Sequence, residues 1–371
     1  MNIKFLQCQF EVKSDGVFLY IYYAFLQFVK RLFYFQRKTQ GDEKMKNRST
    51  VGNIMGTFTA VLMIIGLFLL QHTPLRAAEK FVIGISQFAE HPALDEVRKG
   101  FEDELKAQGV ETEIVYKNAQ GDTGVAGVIA QKFAADKVDL MFAIATISAQ
   151  TAKQATDTIP VLFSAVTDPV HSQLVDSMDN VGGNVTGTTD ASPMDKQLAL
   201  FKQLDPSIEK IGIIYNTSES NSEVQVAQAK EIAKDLGLEI VAVGVNNIND
   251  IPQAVNSLSS KADALYAVTD NIVASAAGLI AKSAVERKMV SVAGEEGPVR
   301  GGLLMTDGLS YYELGKQTGA MAKRILVDGV NPKDMPVESL KNTTKIVNEK
   351  TMNKLKLDKN NPAFEGATFI K

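Results

Sequence analysis

From Phe81 onward the chain keeps one beat: a short apolar run, a polar break, then a helical stretch. The runs fall in two series. The first is Phe81–Ile85, Thr112–Tyr116, Leu140–Ile144 and Val161–Phe163, and the second is Ile211–Tyr215, Glu239–Val243, Ala264–Val268 and Met289–Val292. Between them lie patterns such as Leu94–Gln108, where Val97, Phe101 and Leu105 recur every four residues among charges. That spacing gives a helix with one apolar stripe. Strands alternating with helices form βαβ units, and right-handed crossovers build these into parallel sheets covered on both faces. The expected class is therefore α/β, with two doubly wound parallel-sheet lobes joined by a multi-strand hinge.

Each half opens with strand, polar loop and helix, as in FVIGISQFAEHPALDEV and KIGIIYNTSESNSEVQVAQ. Each then has a helix ending in Gly109 or Gly237, the residue suited to a left-handed helix cap. Two similar lobes of roughly a hundred residues each follow. Val181–Thr188 (VGGNVTGT) reads as a crossing strand between them. Gly301–Thr306, followed by a helical Tyr311–Val327, reads as a return, and Pro332 and Pro336 mark a third passage before Lys345–Val347. The expected division is 79–187 with 301–330 in the first lobe, and 188–300 with 331–371 in the second. Several Gly-flanked crossings make a hinge, because a few backbone positions absorb the closing rotation.

Ahead of the lobes, Lys44, Lys46 and Arg48 precede the uncharged Ile54–Leu70 (IMGTFTAVLMIIGLFLL), and Pro74, Ala77 and Ala78 follow. Basic, apolar and small-residue regions in that order are an export signal beginning at Met45, cleaved or retained as an anchor over 45–78. The aromatic-crowded residues 1–44 read as an extension outside the functional protein, with Met45 the working start.

Composition removes several functions. Net charge is −4, so no basic excess exists to neutralise nucleic-acid phosphates. Cys8 is the only cysteine, and His72, His91 and His171 are the only histidines. A disulfide framework, a cysteine cluster and a histidine zinc site are all disfavoured. There is no G-x-S-x-G elbow, no P-loop, and no G-x-G-x-x-G after the first strand. No catalytic residue, metal or cofactor is expected.

Ligands of open parallel sheets bind beyond the carboxyl ends of the strands. Those positions carry Gln87, Phe88 and His91, then Thr146 and Ser148, then Ser164, Thr167 and Asp168. In the second half they carry Tyr215, Asn216, Ser218, Ser220, Asn221 and Ser222, then Thr269, Asp270 and Asn271, then Glu295 and Glu296. Taken singly, Ser148, Ser222 and Asp270 read as helix caps, and Asp168 before Pro169 as a turn. Their coincidence at strand ends in both halves reads as one cleft.

Together, GISQFAEHPALDEVRKGF, IPVLFSAVTDPV, GGNVTGTTD, YNTSESNS and YAVTDN resemble the ABC-transporter substrate-binding proteins of the tryptophan/tyrosine type, over about Phe81–Asn348. The resemblance implies a type I periplasmic-binding fold that closes on a small ligand, an aromatic amino acid in many members. It also implies delivery to a membrane permease driven by an ATPase. The family's ligand loops fall on Gln87, Phe88, Thr146, Ser164, Asp168, Tyr215, Asn216, Asn221, Asp270 and Asn271. For an amino acid, Thr146 and Ser148 with the following helix N-terminus suit the carboxylate. Asp270 or Asp168 suits the ammonium, supplemented by Ser164 and Asn271, and Phe88 and Tyr215 suit an aromatic ring. The chain departs from the family in having Thr146–Ile147 where relatives often have Thr–Pro, and no lipidated cysteine after the signal. A sugar or nucleoside receptor of the same fold, or an exported enzyme, are the alternatives.

Overall fold

The strands that sequence periodicity marks as fully apolar are the ones the sheets bury on both faces. The computed structural model describes residues 80–371, so the export segment and everything before it lie outside the described residues. In chain order the first elements are β1 (Phe81–Gln87), α1 (Pro92–Ala107), β2 (Thr112–Asn118), α2 (Thr123–Asp136), β3 (Leu140–Ile144), α3 (Thr146–Ala155), β4 (Val161–Val166) and β5 (Val185–Thr189). Next come α4 (Met194–Leu204), β6 (Lys210–Asn216), α5 (Ser220–Asp235), β7 (Glu239–Val245), α6 (Ile251–Leu258), β8 (Ala264–Ala267), α7 (Asn271–Ser275), α8 (Ala277–Glu286), β9 (Val290–Glu295) and α9 (Glu296–Arg300). The last are β10 (Met305–Leu309), α10 (Tyr311–Leu326), β11 (Glu338–Ser339), β12 (Thr344–Asn348), α11 (Glu349–Lys354) and β13 (Thr368–Ile370).

Two sheets result, ordered β11-β5-β4-β3-β1-β2 and β13-β12-β10-β9-β8-β6-β7. Within each, the first five strands share one order, β2-β1-β3-β4-β5 and β7-β6-β8-β9-β10, all parallel. The repeated beat is thus a repeated topology. β3 and β4 are buried at every residue, whereas the edge strand β2 is half open. That is why the first two read as continuous apolar runs and β2 as a mixed one. Gly109 and Gly237 take φ of 69° and 63° just past α1 and α5, the conformation that glycine adopts without a Cβ clash.

The crossings lie slightly beyond where sequence places them. β5 pairs with β4 from Val185 through Thr189, so the strand expected over Val181–Thr188 begins at Val185, belongs to the first sheet, and the chain crosses just after it. β10 lies in the second sheet beside β9, not in the first lobe as the 301–330 boundary implies. The reason is that β9, α9 and β10 form one more βαβ unit, and Leu304 and Met305 sink into the second core. Pairing of β11 with β5 likewise carries 338–339 with the first sheet, before β12 returns to the second.

α10 follows the second crossing and docks on α1, which it can do only through glycines. A Cβ at Gly100 would lie 2.1 Å from the Tyr312 carbonyl oxygen, and one at Gly315 would lie 2.0 Å from that of Val97. The two backbones therefore meet directly, and this contact brings Tyr311 to the mouth of the first sheet. Gly315→Ala is expected to lower stability by about 1–3 kcal/mol through overpacking. A fall in thermal midpoint relative to wild type checks this, with Gly127→Ala, where an added Cβ meets nothing within 4 Å, as the comparison expected not to fall.

Candidate functional site

The carboxyl ends of the strands of both sheets converge on a single small cavity. His91, Leu94, Thr146, Ala165 and Thr167 line it from the first lobe, together with Tyr311. Asn221, Thr269, Asp270, Asn271 and Glu295 line it from the second, and Asp190 lines it from the crossing after β5. Two bonds join the lobes here: His91 Nε2 to Asn271 Oδ1 at 3.2 Å, and Thr167 Oγ1 to Thr269 Oγ1 at 3.2 Å. Behind them, Gln197 on α4 donates to the carbonyl oxygens of Gly294 and Asp307 and accepts from the Tyr266 hydroxyl. The cavity measures about 20 Å³, room for about one water.

The second-lobe wall consists of mutually bonded amides and carboxylates. Asp270 caps α7, accepting from Val273 N at 2.9 Å, and its other oxygen accepts from Asn216 N at 2.5 Å and Ser222 Oγ at 2.7 Å. Glu219 accepts from the side-chain amides of Asn216, Asn221 and Asn271. Burial pushes the pKa of both carboxyls up; the Asp270 charge raises Glu219 further, while donors from Asn216 and Val273 pull Asp270 back. Glu295 accepts from Gly297 N at the start of α9 and is buried, which pushes it up to about 8. Of these acids, Glu219 escaped the sequence reading, because a glutamate inside a Ser/Asn loop reads as solvated surface.

The first-lobe wall is built differently. α3 begins directly after Ala145, which is held at φ 80°, ψ 160°, and the helix has no side-chain cap. For a non-glycine residue that conformation costs about 1–3 kcal/mol, and the strain sets the open helix end at the cavity. The first N–H groups of a helix have no partner within it and carry its positive dipole end. α1 also starts at the cavity without a side-chain cap, at His91. Burial lowers the His91 pKa, so the ring is neutral at pH 7 and its bond to Asn271 holds one tautomer.

Asp190 connects these walls. It follows β5, is 3 % exposed, and accepts from the Tyr311 hydroxyl through Oδ2. Its Oδ1 is buried with no hydrogen-bond partner, as is Asn221 Oδ1. Burial raises the Asp190 pKa. The residue ends GGNVTGTTD, and its signal was its place: the polar residue at the end of a strand read only as a crossing.

Sequence-derived candidates separate clearly in space. Thr146, Asn221, Asp270 and Asn271 line the cavity, and Asn216 stands behind it. Ser148 meets Ser86 at 3.4 Å, beneath the start of α3. Gln87 is buried and donates to Ala89 O and Asp95. Phe88 is 2 % exposed within the first apolar core, so it lies under the loop and not in the cleft. Ser164 turns away too: in the register that pairs Phe163 with Gly187 it stands beside Thr188 and bonds its hydroxyl, and Thr188 bonds Thr318 on α10. Tyr215 borders an outer groove with Asp168. Asp168 closes a turn by accepting from His171 N at 2.8 Å. Among the described residues no three His, Cys, Asp or Glu side chains are grouped to hold a metal ion.

Comparison with known proteins places this architecture. The family model described as ABC transporter substrate binding protein matches residues 82–368. A tyrosine-binding protein of Clostridioides difficile is 44 % identical over 281 residues, 75 % of this chain and 81 % of that protein. Among solved structures, an ABC domain from Streptococcus pneumonia in complex with L-Trp is similar at 31 % identity and a TM-score of 0.75, covering 79 % of this chain and all of that one. A substrate-binding protein with adhesive properties from Clostridium difficile, in its ligand-free, open form, is similar at 44 % identity and a TM-score of 0.62, covering 78 % and 99 %.

The acids make the closed cleft sensitive to pH. Glu295 has its folded pKa raised from 4.5 to about 8, so the folded state holds the proton more tightly than the unfolded chain does. Its contribution to stability is complete below 4.5 and is lost as pH rises through about 8. Glu295→Gln keeps an acceptor for Gly297 N and is expected to flatten the fall in thermal midpoint across that window. Melting curves of both proteins from pH 4 to 9 measure it.

Proposed function

The chain belongs to the ABC transporter substrate-binding protein family, and from that premise we propose that it is the extracytoplasmic receptor of an ABC uptake transporter. It closes its two lobes over one aromatic amino acid and delivers it to a membrane permease driven by an ATPase. The observation that carries this reading is the complementary pair of unmet polar groups around one cavity. On one side is the uncapped start of α3 at Thr146; on the other are the orphaned oxygens of Asp190 and Asn221. A zwitterion satisfies both at once, its carboxylate on the helix end and its ammonium on the acceptors.

Asp190, not Asp168 or Asp270, is then the ammonium partner. Asp270 already accepts from Val273, Asn216 and Ser222 and holds its own loop. The tyrosine-binding relative and the L-Trp complex support an aromatic ligand. The chain overlaps the L-Trp complex better than the open relative, although the latter is closer in sequence. That ordering favours lobes drawn together in this chain. A cavity of about 20 Å³ admits no amino acid, so the hinge at the three crossings parts for entry and closes afterwards. The family is one of binding proteins, and in this reading the ligand leaves as it came.

Thermal-shift screening of the twenty amino acids and common sugars tests the reading. Aromatic amino acids are expected to raise the midpoint by mass action, and a shift with sugars alone overturns the assignment. Asp190→Asn is expected to weaken an aromatic amino acid by at least about 30-fold, since it removes one partner of a buried charge pair. Asp270→Asn is expected instead to lower the ligand-free midpoint more than the affinity. Calorimetric titration beside melting curves separates the two aspartates.

A further inference from the structure

A second, roomier cavity adjoins the first. It measures about 190 Å³ and shares Thr167, Asp190 and Thr269 with the polar one. Around those shared residues its wall changes character. Ala191, Met194 and Val224 supply apolar surface, and Asp168 and Gln228 stand on the same lining. Gln225 also reaches it, but its amide is fully engaged: the NH₂ donates to Asn221 O and Thr269 O, and the oxygen accepts from Thr269 N and Oγ1. Asp168 differs, because only Oδ1 is used, by His171 N, and Oδ2 has no hydrogen bond among the described residues.

We propose that this cavity is the side-chain subsite, holding an aromatic ring between Met194 and Val224 with a ring hydroxyl donated to Asp168 or Gln228. The inference rests on the receptor reading above and specifies which ring that receptor selects. Size permits it: an apolar cavity of about 150 Å³ is enough for a benzene ring. Position requires it, since an ammonium on Asp190 lies on the wall common to both cavities, and the α-carbon substituent then has only the larger one to enter. The chemistry of the lining names the group. Thioether and branched methyl surface suits a ring without aromatic stacking, and a carboxyl oxygen beside an amide accepts from a phenolic O–H where a bare ring edge gives it nothing. The subsite also replaces Phe88 and Tyr215 as the means of ring recognition, because neither side chain lies on it.

Calorimetric titration of the full-length protein and its variants with L-tyrosine and L-phenylalanine tests the assignment. Val224 is half-buried on α5, so Val224→Phe fills the cavity without entering a core. It is expected to weaken both ligands at least about tenfold, the loss of a well-filled apolar contact, while keeping the ligand-free melting midpoint. Val128→Phe, on an exposed face of α2, is expected to change neither. Asp168→Asn retains an acceptor for His171 N and is expected to weaken tyrosine about fivefold with phenylalanine unchanged, as for one weakened hydrogen bond. Gln228→Leu is expected to act in the same direction. Wild-type affinity in Val224→Phe, or parallel losses of both ligands in Asp168→Asn, overturns the subsite and leaves the receptor reading intact. A wild-type protein that binds neither amino acid overturns the receptor reading itself.

Discussion

Buried carboxylates gather around one cavity where the strand ends of the two sheets meet, and among the described residues no lysine or arginine lines that cavity. Asp190, Asp270 and Glu295 line the inner cavity, and Glu219 stands immediately behind Asp270. Burying a charge without a partner is costly, so the surrounding loops are built to relieve it. Asn216, Asn221, Asn271 and Ser222 supply donors to Glu219 and Asp270, and the starts of α7 and α9 supply backbone N–H groups to Asp270 and Glu295. The polar richness of the second-lobe loops is thus what it takes to hold acids in a buried interface. Asp190 is the acid whose relief is incomplete. In the proposed receptor a ligand's cationic group completes it, and that ties closure to binding.

The lobes divide the electrostatic work. On the first lobe, α1 and α3 meet the cleft without side-chain caps, presenting the positive ends of their dipoles. On the second, the helices at the cleft start on acids: Glu219 precedes α5, Asp270 caps α7 and Glu295 caps α9. A zwitterion held between such surfaces has one orientation, carboxylate to the first lobe and ammonium toward Asp190 and the second. The orientation also decides where the side chain goes, because only one side of Asp190 opens onto further space. Specificity for a ring then depends on residues that no helix dipole touches.

Much of this was legible in order along the chain. The spacing of apolar runs implied two similar lobes of parallel sheet, because periodicity reports directly on which faces are buried. The family resemblance was legible too, through several short motifs in sequence. Candidates at strand ends were harder to rank. Thr146, Asn221, Asp270 and Asn271 line the cleft, but Ser164 sits at an equally suggestive position and faces a buried hydroxyl chain instead. Its face of β4 meets Thr188 and, through it, Thr318 of α10, and which element covers a strand's face is invisible in a single sequence. Phe88 looked exposed after its strand and is core, because the loop folds back over it.

By itself, the sequence determined the class of fold, the two-lobe plan and the kind of side chains at the strand ends: amides, hydroxyls and acids. Those follow from local periodicity and residue type, which short stretches carry. Tertiary structure decided which of those side chains meet. Asp190 and Tyr311 are 121 positions apart and bond only because the first and second crossings run side by side, with α10 drawn onto α1 through Gly100 and Gly315. The proposed ammonium partner and the proposed ring cavity beside it are products of that long-range packing. Contacts between distant segments depend on backbone approach and register, so no local pattern announces them.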